Sequence, residues 1–233
     1  MKRSKKKSFW GAVAAGLLIL CLSAPAAAAP RTVEVYNPAG QQPDGVYVDT
    51  ILKKIMDETG VKRPLLAGKF TGVKKERIGI RHDEFSEVSE WFYLRGWTDG
   101  LPIVPPTERR VKEMLKGTDL PADFLVANLD PMGGQATVEK IAVNAVMAGC
   151  RPEYMPVLIA AVELAARPEF DLKGLATTTN PDAPLLILSG PIVEQLDVNA
   201  GTNTLGRGWQ ANASISRALH LIIQNIGGSW PGV

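Results

Sequence analysis

Residues 124–166 read FLVANLDPMGGQATVEKIAVNAVMAGCRPEYMPVLIAAVELAA, and this stretch decides the fold class. It predicts a strand over 124–129, a glycine-containing turn, a helix over Val138–Ala148 and a second helix over 153–166. Alanines along both helices permit close packing on each other or on a sheet. A strand followed by packed helices favours an α/β domain.

The chain on both sides continues this alternation. The unbroken apolar run at 184–188 predicts a buried central strand, and the pattern over 211–226 predicts a last helix. Upstream, helices are predicted over 83–94 and over Glu108–Leu115, joined by a proline-rich loop over 96–107. We therefore expect residues 81–233 to form one layered α/β domain, a sheet with packed helices. One alternative is a shortened version of a longer domain.

The region 30–80 predicts a loosely organised N-terminal segment. It contains one strand candidate over 32–36, a Pro/Gly/Gln linker over 38–45 and an amphipathic helix over 48–59. The mixed charges at 74–77 are typical of a solvated surface loop.

Residues 1–29 have the three parts of a cleavable signal peptide. Five bases precede residue 8, an apolar run covers 9–22, and small residues lead to a cleavage site near Ala29. The alternative is a permanent anchor, but about 14 apolar residues fall short of the ~20 that a bilayer core requires. We expect a periplasmic or secreted protein without a stable membrane anchor after cleavage.

Charge and cysteine content of the expected mature chain narrow the function classes. The whole chain has 26 Lys plus Arg against 24 Asp plus Glu; without the leader, 21 bases face 24 acids, a charge of −3. This balance gives no support for a nucleic-acid partner, which needs a clustered basic face. Because Cys21 leaves with the leader, Cys150 is the only remaining thiol and no intramolecular disulfide can form.

Residues 199–212, NAGTNTLGRGWQAN, form the candidate ligand loop ahead of the last predicted helix. Glycines allow close backbone approach, and a helix start favours an anion. The alternative is a structural Asx-turn loop, since Asn and Gly are also turn formers. The candidate ligand-binding residues of the loop are Asn199, Asn203, Gly206, Arg207, Gly208 and Asn212.

Cys150 and His220 are the candidate catalytic pair. The C-terminal end of the helix before Cys150 would raise the thiol pKa, whereas Arg151 and the following helix would lower it. His220 shares a polar helix face with Ser216 and Arg217, from which a general base could face the loop. The alternatives are a small buried cysteine and a half-buried structural histidine.

Two further polar residues are candidate ligand contacts. Asp99 lies in the turn of the proline-rich loop, and Thr178 precedes the predicted buried strand, where its hydroxyl could line a pocket or simply edge the strand. One cysteine and two histidines do not make a conventional structural zinc site, so no metal is predicted and the cofactor is left open.

Three motifs together resemble a known group of sequences. They are GWTDGLPIVPPT at 96–107, VMAGCRPEY at 146–154, and the Asn/Gly loop running on to NIGG at 225–228. Over about residues 88–233 the chain resembles poorly characterised bacterial proteins met alongside UGSC-type cysteine or selenocysteine proteins. Members of that group continue past residue 233. The resemblance implies that Cys150 and the Asn/Gly loop belong to the site, and that a partner protein could supply a C-terminal part.

Two functional hypotheses follow from these residues. The first is a thiol-dependent or redox-associated enzyme acting on a small polar or anionic substrate, with Cys150 as nucleophile and His220 as base. The second is a periplasmic small-ligand-binding or accessory module without catalysis, in which residues 97–107 and the Asn/Gly loop hold the ligand. A shortened, non-catalytic homologue of a longer enzyme is a third alternative.

Overall fold

The computed structural model describes residues 31–38, 74–80 and 84–230, which form a mixed α/β fold. Strand β1 (Arg31–Tyr36) pairs antiparallel with β2 (Lys75–Ile80), so that Arg31 faces Ile80 and Tyr36 faces Lys75. Strand β3 (Leu125–Leu129) pairs antiparallel with β4 (Gly134–Thr137). These are two separate two-stranded sheets.

Helices occupy much of the remaining described chain. They are α1 (Glu84–Leu94), α2 (Glu108–Leu115), α3 (Val138–Ala148), α4 (Met155–Ala165), α5 (Leu172–Thr177), α6 (Ile192–Gln195) and α7 (Gln210–Ile222), with single 3₁₀ turns at Pro152–Tyr154 and Pro168–Phe170 and a π turn at Ile223–Gly227. Among the described residues, no helix has the length and hydropathy needed to cross a membrane.

Helix α3 lies at the centre of the core. Nine of its eleven residues are buried, and it packs against α2, α4 and α7. Because most of its residues are buried, the helix depends on these neighbours for its stability. The helix begins at Thr137, whose side chain accepts a hydrogen bond from the Lys140 N–H, and ends at Gly149, where φ is +81°. Because the helix ends at Gly149, Cys150 lies directly after it, at the edge of the core.

Aromatic rings and buried amides fix the loop that follows α1. The Trp97 ring is fully buried, with its centroid 5.3 Å from that of Phe92 and 5.5 Å from that of Trp91. The Asn225 side-chain amide, in the π turn, donates to the Trp97 carbonyl at 3.1 Å and to Asn144 Oδ1 at 2.9 Å. These contacts tie the start of the loop to both α3 and the end of α7.

Several elements confirm the sequence-based predictions. Helices α2 and α3 have the predicted bounds, and β1 begins one residue earlier than predicted. The predicted helix over 153–166 is a 3₁₀ turn followed by α4, and the predicted helix over 211–226 is α7 followed by the π turn. Thr107 occupies the cap position of α2, but its side chain makes no cap hydrogen bond.

Two predictions are wrong. Residues 184–188 are not a buried strand: no described strand pairs with them, and the side chains of Leu185 and Ile187 are 69% and 85% exposed. Residues 74–77 are not a surface loop, because Lys75 begins β2, in which Ile78 and Ile80 alternate toward the core. Strand β4 was also not predicted. Strands β2 and β4 pair with partners that a local pattern does not contain, and the run at 184–188 has no paired strand among the described residues.

Some predictions fall on residues that the structure does not describe. The signal peptide over 1–29, the helix over 48–59, and the linker beyond Pro38 lie outside the described residues. The predicted domain 81–233 and N-terminal segment 30–80 stay predictions.

Candidate functional site

Cys150 lies between the end of α3 and the first turn of α7. Its backbone N–H donates to the Ala145 carbonyl at 3.0 Å, and its thiol donates to the Ser214 carbonyl at 3.3 Å. Burial raises the pKa of this thiol to about 12, and the positive charge of Arg217 offsets only part of that rise. The thiol is therefore protonated at neutral pH, and the thiolate that a nucleophile needs is scarce.

Arg151, expected to draw Cys150 toward thiolate, is engaged elsewhere. Its Nε donates to the Tyr154 hydroxyl at 3.1 Å, and its guanidinium carbon lies 5.3 Å from the centre of the Tyr154 ring. Desolvation by burial is the largest cause of the raised pKa of Cys150, and Arg151 is not among the charges that lower it.

His220 is exposed on α7 and does not contact Cys150 in the described structure. It follows Ser214 by six residues, a rise of about 9 Å along the helix. The thiol contacts α7 at Ser214. The structure therefore does not bring the two candidate catalytic residues together.

The Asn/Gly loop is held by its own asparagine side chains. Asn212 Oδ1 accepts from the Asn199 N–H at 2.9 Å, and Asn212 Nδ2 donates to the carbonyls of Asn199 and Thr204 at 3.0 and 3.1 Å. Asn199 in turn accepts from the Gly201 N–H at 3.0 Å and donates to the Thr202 carbonyl at 2.9 Å. These amide groups are used inside the loop, which fits the structural alternative.

The tip of the loop is also held by an asparagine side chain that bonds within the loop. Asn203 has a φ of +64°, and its amide donates to the Arg207 carbonyl at 3.1 Å. A Cβ at Gly206 would overlap the end of the Asn203 side chain, which would have to move, whereas Gly208 has a φ of +122° and requires glycine for backbone reasons. The exposed Arg207 guanidinium makes no ion pair within the described part of the chain.

Thr178 also has a local structural contact. Its hydroxyl oxygen accepts from the Asn180 N–H at 3.2 Å, which forms a turn directly before the extended segment 183–188. The residue is partly exposed and does not line the groove described below.

Asp99 is bound by Arg217, which was not among the predicted site residues. Arg217 Nε donates to Asp99 Oδ2 at 2.8 Å, and Nη2 donates to Oδ1 at 2.9 Å. Burial alone would raise the pKa of Asp99, but the hydrogen bonds and charge of Arg217, with the Leu101 N–H, hold it below its usual range. Asp99 is thus an ionised structural partner. Arg217 carried one local signal, its place on the polar face of α7.

The loop over 100–102 is fixed from two sides. Arg217 Nη2 also donates to the Pro102 carbonyl at 2.9 Å. Ser89, on α1, donates to the Ile103 carbonyl at 3.0 Å and accepts from its N–H at 3.2 Å. Because α1 and α7 hold the loop together, it forms a stable wall facing α1.

An open groove of about 370 Å³ lies between this wall and α1. Tyr93 and Leu101 line it and are 50% and 59% exposed. Glu90, three residues before Tyr93 and therefore its neighbour on the helix surface, is exposed and makes no ion pair with any described residue. The described lining is Phe85, Ser86, Ser89, Glu90, Tyr93, Gly100, Leu101 and Pro102.

The groove combines an acidic side chain with exposed aromatic rings. Aromatic faces attract cations, and a carboxylate beside them attracts the same cations by its negative charge. No basic side chain lies among the described lining residues. Among the described residues, no group of three or more His, Cys, Asp or Glu side chains could hold a metal ion.

No family model, curated protein or solved structure matches this chain.

Proposed function

We propose that this chain is an exported, non-catalytic small-ligand-binding or accessory module whose binding site is the groove between α1 and residues 100–102. The observation that carries this proposal is the carboxylate of Glu90, which makes no ion pair with any described residue and lies beside the exposed ring of Tyr93, opposite a wall that Arg217 and Ser89 hold in place. A volume of about 370 Å³ is within the ~300–1,000 Å³ usual for small-molecule sites.

The groove favours a different ligand from the one the sequence suggested. The sequence pointed to a polar or anionic ligand held by the Asn/Gly loop and, for a binding module, by residues 97–107 as well. The charge of Glu90 repels anions, and the rings of Phe85 and Tyr93 favour an apolar or aromatic part. The proposed ligand class is therefore a small molecule with a cationic group next to an apolar or aromatic portion.

The thiol-enzyme hypothesis has less support. It needs Cys150 as a thiolate close to a base, whereas the pKa of the thiol is raised to about 12 and His220 makes no contact with it. The Asn/Gly loop would also have to give up internal hydrogen bonds before it could bind a substrate.

The wider context of the proposal comes from the sequence. The pattern of residues 1–29 supports export to the periplasm or beyond, and the resemblance over about 88–233 supports an accessory role beside another bacterial protein. A layered arrangement would require strands beyond those in the two small sheets, and a partner protein could supply them.

Binding of benzyltrimethylammonium, which joins a quaternary cation to an aromatic ring, tests this function. We expect isothermal titration calorimetry to detect its binding, and we expect Glu90→Gln to raise its Kd about five-fold, which corresponds to ~1 kcal/mol for one partly exposed charge. Benzoate, which has the same ring with a negative charge, should bind more weakly.

The matched control is Glu194→Gln, which neutralises an exposed carboxylate on α6 outside the groove. It should leave the Kd unchanged. Equal binding of benzoate and benzyltrimethylammonium, or equal effects of the two Glu→Gln changes, would contradict the proposed site.

A further inference from the structure

Exposed and partly buried side chains alternate over residues 183–188, as in an extended strand, and none of the described strands pairs with them. Leu186 and Leu188 pack against the core, whereas Leu185 and Ile187 are 69% and 85% exposed. This alternation with a period of two is that of an extended chain. Within the described part of the chain, the backbone N–H and C=O groups of 183–188 make no hydrogen bond.

The segment is fixed at both ends. The Thr178–Asn180 turn precedes it, and Gly190, with a φ of +93°, turns the chain into α6. Its inward side chains add a third attachment, since Leu186 and Leu188 contact the core. A strand held in this way loses little conformational freedom when a second strand pairs with it.

Only one edge of the segment can accept a second strand along its length. In an extended chain, the N–H groups of alternate residues point to opposite edges. One edge presents the N–H groups of Leu185, Ile187 and Ser189. The other edge includes Pro184, which has no N–H and interrupts a ladder.

We propose that the segment pairs with the same segment of a second copy of this chain, antiparallel and centred on Leu186. In this register Leu185 lies opposite Ile187 of the second copy, and the reverse pair forms by symmetry. Cross-strand Leu–Ile pairs bury the two most exposed apolar side chains of the segment.

Charge and proline placement favour a second copy as the occupant. Residues 183–190 contain no charged side chain, whereas edge strands that remain unpaired commonly carry one. In the centred register Asp182 lies opposite Gly190, so no like charges meet. Pairing stops at two chains because a two-fold axis passes through Leu186 and Pro184 interrupts the remaining edge.

Sedimentation velocity of the purified protein over a dilution series tests the proposal. We expect a monomer–dimer equilibrium, and we expect Ile187→Lys to shift it to monomer because a charge replaces the buried cross-strand contact. The matched control is Leu205→Lys, at a side chain that is 88% exposed in the Asn/Gly loop, and it should dimerise as the wild type does.

A charge pair tests the register. Leu185→Glu alone should weaken the dimer, whereas the double variant Leu185→Glu, Ile187→Lys should recover it, because each introduced acid lies opposite an introduced base of the second copy. Recovery should weaken with added salt.

Amide hydrogen exchange separates a second copy from other occupants. In the dimer the Leu185 and Ile187 amides should be protected, those of Leu186 and Leu188 should exchange quickly, and the protection should fall on dilution. A monomer at every concentration overturns the proposal, and protection that does not change with dilution points to another part of the same chain. Assemblies larger than two chains, or a dimer unaffected by Ile187→Lys, overturn it as well.

Discussion

The surroundings of Cys150 and the groove along α1 both contain polar side chains, but these are buried or hydrogen-bonded around Cys150 and exposed in the groove. At Cys150 the thiol is buried and donates to a carbonyl, and the asparagines of the neighbouring loop bond to their own backbone. In the groove, Glu90 and Tyr93 are exposed and Glu90 has no ionic partner among the described residues. The comparison teaches that a binding residue is identified by the interactions it has left unused, and residue type alone does not show this.

The largest expected effect concerns alkylation of Cys150. With a pKa of about 12 instead of the ~8.5 of a free thiol, the thiolate fraction at pH 7.5 falls about three-thousandfold. We therefore expect iodoacetamide to label the folded protein slower than the guanidinium-unfolded protein by at least that factor, as followed by intact-mass spectrometry.

The same labelling experiment on a His220→Ala variant tests whether His220 activates Cys150. His220→Ala should leave the labelling rate of the folded protein unchanged, because His220 makes no contact with the thiol. Rapid labelling of the folded wild type, slowed by His220→Ala, would restore Cys150 as the reactive centre and break the comparison.

The next largest effect is expected from Arg217→Ala. This change removes two hydrogen bonds to Asp99 in a pair whose side chains are 22% and 15% exposed, and it frees the wall of the groove. We expect a loss of about 2 kcal/mol in the free energy of unfolding by urea, together with weaker benzyltrimethylammonium binding. Arg167→Ala, which breaks an exposed pair with Glu163 at 3.8 Å, should cost less than about 0.5 kcal/mol.

The pH dependence of the unfolding free energy tests the ion pair between Asp99 and Arg217. Because the folded protein holds the pKa of Asp99 below its unfolded value of about 3.9, the stabilisation is present above that pH and is lost as the pH falls through the folded pKa. The difference in unfolding free energy between wild type and Arg217→Ala should therefore narrow below about pH 4. A difference that stays constant from pH 7 to pH 3 would contradict the assigned role of the pair.

Local signals predicted the helical core well. Helix α3 matches its prediction because Thr137 and Gly149 mark its two ends in the sequence and its apolar residues continue between them. The bounds of α2 were readable for the same reason. These elements depend on contacts within a few residues of one another.

Long-range contacts set the limit of prediction. Strand β2 pairs with β1 more than 35 residues away, and Arg217 meets Asp99 across 118 residues. The apolar run at 184–188 satisfies the pattern of a buried strand, yet the described structure supplies no neighbour for it. Residues 97–107 were predicted to contact a ligand, but the groove was missed because its other wall is α1, which no local pattern joins to that loop.

The most direct test of the central claim is to map where benzyltrimethylammonium binds, using backbone amide chemical shifts of the isotopically labelled protein. If the groove is the site, the shifts that change on titration should cluster in α1 and at residues 100–102, with little change at Cys150 or in the loop over 199–212. Changes concentrated around Cys150 and the Asn/Gly loop, with none along α1, would contradict the account.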